Sequence, residues 1–239
     1  MITLAFDSVA KVASVAVLDG ERALAVYSID NGLTQSELLM PMARDALTSL
    51  GMSFDDVGLL ACTVGPGSFT GVRIGVSLVK GIAFGRDIPC VGVSALEALA
   101  ENLAGLDGII VPCMDARRGQ VYTAIFDGRG DGIKRMSEDE AIPLDELCER
   151  LRALEGRAIY VTGDGYKVAR AAADAAGIRV AEVPRLLINE NAYSCGVIAA
   201  RKHAAGDTVS DMQIQPTYLR LPQAERERLQ RINSEENKK

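Results

Sequence analysis

The chain has 239 residues, a formal net charge of −6 and a single histidine, His203. That length allows one large domain or two small ones with ample core, and the acidic balance argues against a broad basic face for nucleic acid, though not against a local patch. One histidine excludes a zinc site built on several, and no basic segment or long apolar run near Ile2–Phe6 suggests a secretion signal or a membrane span.

Ile2, Leu4 and Phe6 alternate as in a strand that ends at Asp7-Ser8. A second strand is predicted over Val12–Leu18, closed by Asp19-Gly20, and a third over Ala23–Ile29. Thr34-Gln35-Ser36-Glu37 is a capping box that opens a helix carrying Leu38, Leu39, Met40, Met42 and Leu47, stopped by Gly51. Pro41 is expected to kink this helix or fall in its first turns. The strand Gly58–Val64 leads into Gly65-Pro66-Gly67-Ser68 and then a helix over Phe69–Phe84. A short strand, Cys90–Val93, and a second capping box, Ser94-Ala95-Leu96-Glu97, with a helix to about Ala104 complete the first half. The order predicts a mixed sheet with helices on its faces, an α/β fold.

Ile2–Gly20 aligns without gaps on Ile110–Gly128, matching Asp7 to Asp115, Ala16 to Ala124, Asp19 to Asp127 and Gly20 to Gly128. The shared spacing predicts two related lobes. After a loop over Gly128–Glu138 come a helix around Pro143–Leu154, the strand Ala158–Thr162 and the turn Gly163-Asp164-Gly165. A helix over Tyr166–Ala176, a strand near Val180 and a helix from about Asn191 to Ala205 follow. The expected division is a first lobe over 1–105, a second over 106–222 whose last helix packs back on the first, and a charged, frayed tail over 223–239. Cys62, Cys90, Cys113, Cys148 and Cys195 are scattered without a CxxC pair and read as buried thiols of a reducing, cytoplasmic protein.

Two uses compete for the Gly65–Gly75 stretch. A Gly-rich turn between strand and helix can hold an anion on backbone N–H groups. With Asp7, Ser8 and Asp115, Gly65 and Gly67 then form a candidate nucleotide site, in the layout by which actin-like kinases hold ATP and magnesium. The rival reading is that each Asp satisfies its own turn. No Gly-Lys-Ser or Gly-Lys-Thr follows, so this is not a Walker loop. Alternatively, Gly71, Gly75, Leu78 and Ile82 share one helical face. Each interior Gly costs ~1 kcal/mol relative to Ala, so the pair suggests close contact with another backbone, either the chain's own sheet or a partner helix. Arg117-Arg118 at a hairpin turn can grip a phosphate or simply be solvated, and His203 lies near the negative end of its helix.

The segments Gly65–Gly75, Lys80–Ala83, Gly92–Ala100, Asp115–Tyr122 and Pro216–Arg220 resemble the bacterial TsaB family, also called YeaZ, along nearly the whole chain. The resemblance implies a two-lobed actin-like ATPase fold of duplicated mixed sheets flanked by helices. It also implies a role without chemistry. The family is a paralogue of TsaD, which places the threonylcarbamoyl group on the adenosine beside the tRNA anticodon. TsaB-like proteins pair with TsaD and are needed for its activity, TsaE joins the assembly, TsaC supplies threonylcarbamoyl-adenylate, and tRNA is met through the complex. The metal-binding His-x-x-x-His of TsaD falls here on Ala95 and Leu99, which cannot bind a metal. Two departures stand out: Asp7-Ser8-Val9 replaces a frequent Asp-Thr-Ser, and Gln35-Ser36-Glu37 a frequent His-Ser-Glu. By this resemblance the nucleotide residues are vestigial, no cofactor is expected in the subunit, and ATP or ADP with magnesium belongs to the assembled complex. The helices 34–50 and 69–84 would form the seam with TsaD through Leu39, Met42, Gly71, Arg73, Gly75, Leu78 and Ile82, and a homodimer is expected when the chain is alone. The alternative is an actin-like ATPase or phosphotransferase using Asp7 and Asp115 with magnesium.

Overall fold

The structure is a computed structural model that describes residues 1–130, 132–154 and 156–220, so the predicted tail over 223–239 lies outside the described residues. Its first sheet is built on β1 (Ile2–Asp7), which pairs antiparallel with β2 (Ala13–Asp19) and parallel with β4 (Leu59–Gly65). The antiparallel edge strand β3 (Arg22–Ile29) and the parallel β5 (Cys90–Ser94) complete the order β3-β2-β1-β4-β5. β1, β2 and β4 are apolar almost throughout because both faces are covered. One face meets α1 (Gln35–Ser49) and α2 (Phe69–Ala83), where Leu4, Phe6 and Val15 pack with Leu39, Leu47 and Val76. α1 runs on through the exposed Pro41, and the Thr34 N–H donates to the Glu37 carboxylate as the capping box requires.

The second sheet is centred on β6 (Ile109–Asp115), flanked by β7 (Gln120–Thr123), β8 (Phe126–Asp127), β9 (Lys134–Arg135), β10 (Glu140–Pro143) and the parallel β11 (Ile159–Thr162). α3 (Ala95–Glu101) joins the two sheets, since Leu96 and Leu99 share a core with both Leu60 and Ile110. α4 (Leu144–Arg152) and α5 (Tyr166–Ala175) cover the second sheet through Leu147, Leu151 and Ala169. The last helix, α6 (Ala192–Ala204), leaves this lobe and lies on the free face of the first sheet. There Ala192, Cys195 and Ala199 meet Ala5, Ala16 and Ala61, small residues on both sides that bring helix and sheet close.

Three sequence expectations need correction. The loop expected over Gly128–Glu138 contains β9, and β10 precedes the helix that was expected to start at Pro143; both strands are too short to show a period and form only by pairing. The strand near Val180 is a single bridge between Tyr160 and Ala181. The repeat is real in its first strands, because Asp7 and Asp115 end β1 and β6, but it is not gap-free. Ile2 faces Asp19, whereas Ile110 faces Phe126 rather than Asp127. The turn over 8–12 has five residues and that over 116–119 has four, which moves the second strand of the repeat by one position.

Candidate functional site

The turn after β4 sets the whole region. Ser68 caps α2 by accepting the Gly71 N–H at 3.2 Å. Gly71 and Gly75 then point inward, at the β1–β2 turn: Ser8 Oγ donates to the Gly71 carbonyl at 2.8 Å. A Cβ on Gly71 would overlap the Ser8 carbonyl oxygen, and one on Gly75 would sit 2.7 Å from Ser8 Oγ. The two glycines therefore serve the chain's own sheet and not a partner helix. Leu39, Met42 and Ile82 are corrected in the same way, being core residues no more than 4% exposed. The physical reason is helix phase. The buried stripe of α2 runs through Val72, Val76, Val79 and Ala83, and positions 71, 75 and 82 extend it.

Of the expected contacts, Arg73 and Leu78 remain at the surface, exposed and half-buried respectively. They belong to a groove of about 530 Å³ between α1 and α2, walled also by Met40, Phe69 and Ile74. Met40, Phe69, Ile74 and Leu78 are half-buried, the buried Leu39 also lines the groove, and the polar Ser36, Thr70 and Ser77 form its rim.

A second cavity, about 450 Å³, lies between the lobes. Gly67 and Asp115 line it, together with Lys11, Arg117, Asp164 and the segment Thr217–Arg220. Asp7, Ser8 and Gly65 do not. Asp7 and Ser8 have no exposed surface, and Gly65 is pressed against the Thr217 carbonyl. The two would-be phosphate turns close on each other, the Ser68 N–H donating to the Val9 carbonyl at 2.7 Å. Asp7 Oδ1 accepts the Val9 N–H at 3.3 Å while Oδ2 has no partner. Burial pushes its pKa up from 3.8 to about 7. Asp7, Ser8 and Gly65 are shut off from the cavity and so do not fit a nucleotide or its magnesium, while Gly67 and Asp115 line it. Asp115 is engaged in its own turn: Oδ1 accepts the Arg117 N–H at 2.8 Å and Oδ2 lies 3.4 Å from the Arg117 guanidinium. Its own N–H donates to Asp164 Oδ1. Arg118 stands exposed at the hairpin tip with φ of 56°.

Sequence reasoning missed Lys11, Asp164 and Glu190. Glu190 is 3% exposed, its Oε1 has no partner, and burial first, then the charges of Asp7 and Asp164, push its carboxyl up to about 8. The turn Gly163-Asp164-Gly165 was legible, but nothing in one dimension placed it opposite Asp115. Ala95 and Leu99 lie on α3, without exposed surface, in the core shared by both lobes.

Comparison with known proteins follows this geometry. Residues 34–226 match the family model TsaD, described as tRNA N6-adenosine threonylcarbamoyltransferase. A protein of Escherichia coli named tRNA threonylcarbamoyladenosine biosynthesis protein TsaB is 33% identical, covering 92% of this chain and 95% of its own. The protein of that name from Bacillus subtilis is 31% identical over 94% and 96%. Among solved structures, YeaZ from Pseudomonas aeruginosa superposes with a TM-score of 0.74 at 25% identity, covering 91% of this chain and 99% of that one. Component A of the Acidaminococcus fermentans (R)-2-hydroxyglutaryl-CoA dehydratase, at TM-score 0.50 and 12% identity over 85% and 99%, shares the fold alone. With the motifs, the two mixed sheets and full-length relatives above 30% identity in agreement, the chain belongs to the TsaB (YeaZ) family and has its two-lobed actin-like ATPase fold.

Proposed function

We propose that this chain is a non-catalytic subunit in the synthesis of threonylcarbamoyladenosine in tRNA, acting by binding and activating a TsaD-type transferase together with TsaE. The names of its full-length relatives support the pathway. The observation that carries the mode of action is the α1–α2 groove, an apolar floor of half-buried Met40, Phe69, Ile74 and Leu78 with a polar rim, the composition of a helix-docking surface. The proposed seam uses the same helix pair, with Met40, Ile74 and Leu78 beside Arg73 and the buried Leu39 at its base, and without Met42, Gly71, Gly75 and Ile82. The same face would close a homodimer in the absence of the partner.

Ala95 and Leu99, apolar and buried where TsaD carries metal-binding histidines, support the non-catalytic reading. So does Asp7, sealed away from the interlobe cavity. ATP or ADP with magnesium is assigned to the assembled complex, TsaC to the preceding step, and tRNA contact to the complex, in keeping with the net charge of −6. Among the described residues no helix is long and apolar enough to cross a membrane, and the cytoplasm is the proposed location.

Reconstitution of tRNA threonylcarbamoylation with a TsaD-type enzyme, TsaE and TsaC tests the reading. Modification should require this chain and fall at least tenfold with Leu78→Asp or Ile74→Asp, each half-buried and therefore checked for folding by circular dichroism and thermal melting. Equal modification without the chain overturns the function. Undiminished stimulation by both variants, with the chain still required, overturns the placement of the seam.

A further inference from the structure

The segment after α6 crosses from one lobe to the other, and its contacts are specific at both ends. It is first held to the edge of the first sheet, where Val209 and Cys90 exchange backbone hydrogen bonds, and then along α2 by Lys80 Nζ, which donates to the Met212 carbonyl at 3.4 Å. The Thr217 N–H donates to the Val64 carbonyl at 2.8 Å, beside the Gly65 turn. Tyr218 stacks on Phe69 with ring centroids 4.7 Å apart, and its hydroxyl accepts from Arg73 Nε at 2.9 Å. The Arg73 guanidinium in turn lies 3.8 Å from the centre of the Phe69 ring. Two residues on, the chain has reached the second lobe: Arg220 donates to the Ala116 carbonyl at 2.9 Å and lies over the Tyr122 ring.

Thr217–Arg220 forms a wall of the interlobe cavity, along with the residues it ties together, Phe69 on one lobe and Ala116 and Tyr122 on the other. Further polar ties between the lobes lie away from this cavity: at α3 Ser94 Oγ donates to Asp139 and Asn102 Nδ2 to the Asn189 carbonyl at 2.9 Å, and along α6 Arg201 pairs with Glu21 and Glu101. None of these residues lines the cavity. Thr217–Arg220 is thus a tie on the cavity side, separate from those at α3 and α6. Phe69 and Arg73 have a double membership, since both also wall the α1–α2 groove.

We propose that Thr217–Arg220 is a latch that holds the interlobe cavity closed, and that Arg73 is its release, because an occupant of the α1–α2 groove that draws the guanidinium away removes the hydrogen bond and the cation that order Tyr218. The latch is a property of the isolated chain and does not depend on the partner being a TsaD-type enzyme. Its chemistry is suited to release. A stacked ring with an exposed hydroxyl hydrogen bond and one partly buried guanidinium-to-carbonyl bond are each weak by themselves and cooperative as a set.

The test is a lobe-to-lobe distance in the full chain. The five native cysteines are buried, so spin labels introduced at the exposed positions of Thr48→Cys on α1 and Lys167→Cys on α5 report that distance by pulsed electron resonance. The parent should give one narrow distribution. Tyr218→Ala and Arg220→Ala should each broaden it and add a longer component, and Arg73→Ala should match Tyr218→Ala. Tyr218→Phe, which keeps the stack, should fall between. Circular dichroism and thermal melting confirm that each variant is folded, and a variant that fails this check is replaced by Tyr218→Leu or Arg220→Gln, for which the same broadening is expected. Distributions unchanged in both the Tyr218 and Arg220 variants overturn the latch. Broadening in those two with none in Arg73→Ala overturns the release.

Discussion

Asp7→Asn isolates the energetic consequence of sealing a carboxyl beneath the Gly65–Ser68 turn. Asp7 has no exposed surface, one of its oxygens is unpartnered, and burial pushes its pKa up from 3.8 to about 7. The folded chain therefore keeps a proton that the unfolded chain releases near pH 4. No penalty exists below that point. Stability then falls as pH rises through the interval from 3.8 to about 7, and the loss levels off above it. At ~1.4 kcal/mol per pH unit the accumulated cost is on the order of 4 kcal/mol by pH 8, more than half of it between pH 5 and pH 8. Asn keeps the acceptor for the Val9 N–H and cannot ionise. It also removes one of the charges that push Glu190 up to about 8, so the benefit at high pH is not confined to one residue. Urea unfolding of parent and variant at pH 5 and pH 8 reads the effect as a difference of differences, in which the titrating groups not coupled to Asp7 cancel and Glu190 adds to the variant's gain. The variant should gain roughly 2–3 kcal/mol on the parent between the two pH values. A stability difference that stays constant across this range would refute the argument that Asp7 is buried in a protonatable state.

Gly71→Ala drives a Cβ into the Ser8 carbonyl, a backbone atom that cannot rotate aside, and should lower stability by more than ~2 kcal/mol in chemical denaturation. Gly81→Ala, on the exposed face of the same helix with no atom within 4 Å of the added carbon, should raise it by ~0.5–1 kcal/mol. If the two changes prove alike, the inward aim of the first glycine is wrong. All five cysteines are buried, and burial pushes the thiols of Cys62, Cys113 and Cys195 up. A thiol-disulfide reagent at pH 8 should leave native protein nearly unlabelled and titrate five thiols in denaturant. Rapid labelling of any one in the folded chain would contradict the packing described here.

Local chemistry was legible from residue order wherever one element decides its own form. The strand that ends at Asp7, the capping box at Thr34, the helix capped by Ser94 alone without the reciprocal Glu97 bond, and the helix after Ser68 all stand within a residue or two of their expected positions. Each depends on a short-range rule: alternation, a side chain capping its own helix, a glycine that ends it. The family motifs and the approximate repeat were legible for the same reason. The direction in which Gly71 and Gly75 face was not. Spacing places both on one stripe of α2 but leaves open whether that stripe meets a sheet or a partner, and only the position of Ser8, 63 residues earlier, settles it. Leu39, Met42 and Ile82 were misassigned through the same ambiguity, since an apolar helix position reads alike whether it faces a core or a docking groove. The fate of the Gly65 turn was also tertiary. A phosphate loop and a closed structural turn share their glycines, and they differ in whether the neighbouring amides are already used. Here the Ser68 N–H is taken by the Val9 carbonyl and Asp7 is buried beneath. The strap from Thr217 to Arg220 has no period and no secondary structure of its own, so its path along the cavity is set by contacts with residues more than a hundred positions away. Sequence determined the parts and their kinship; the contacts between distant segments determined which helix faces were buried in the core and which stayed at the surface.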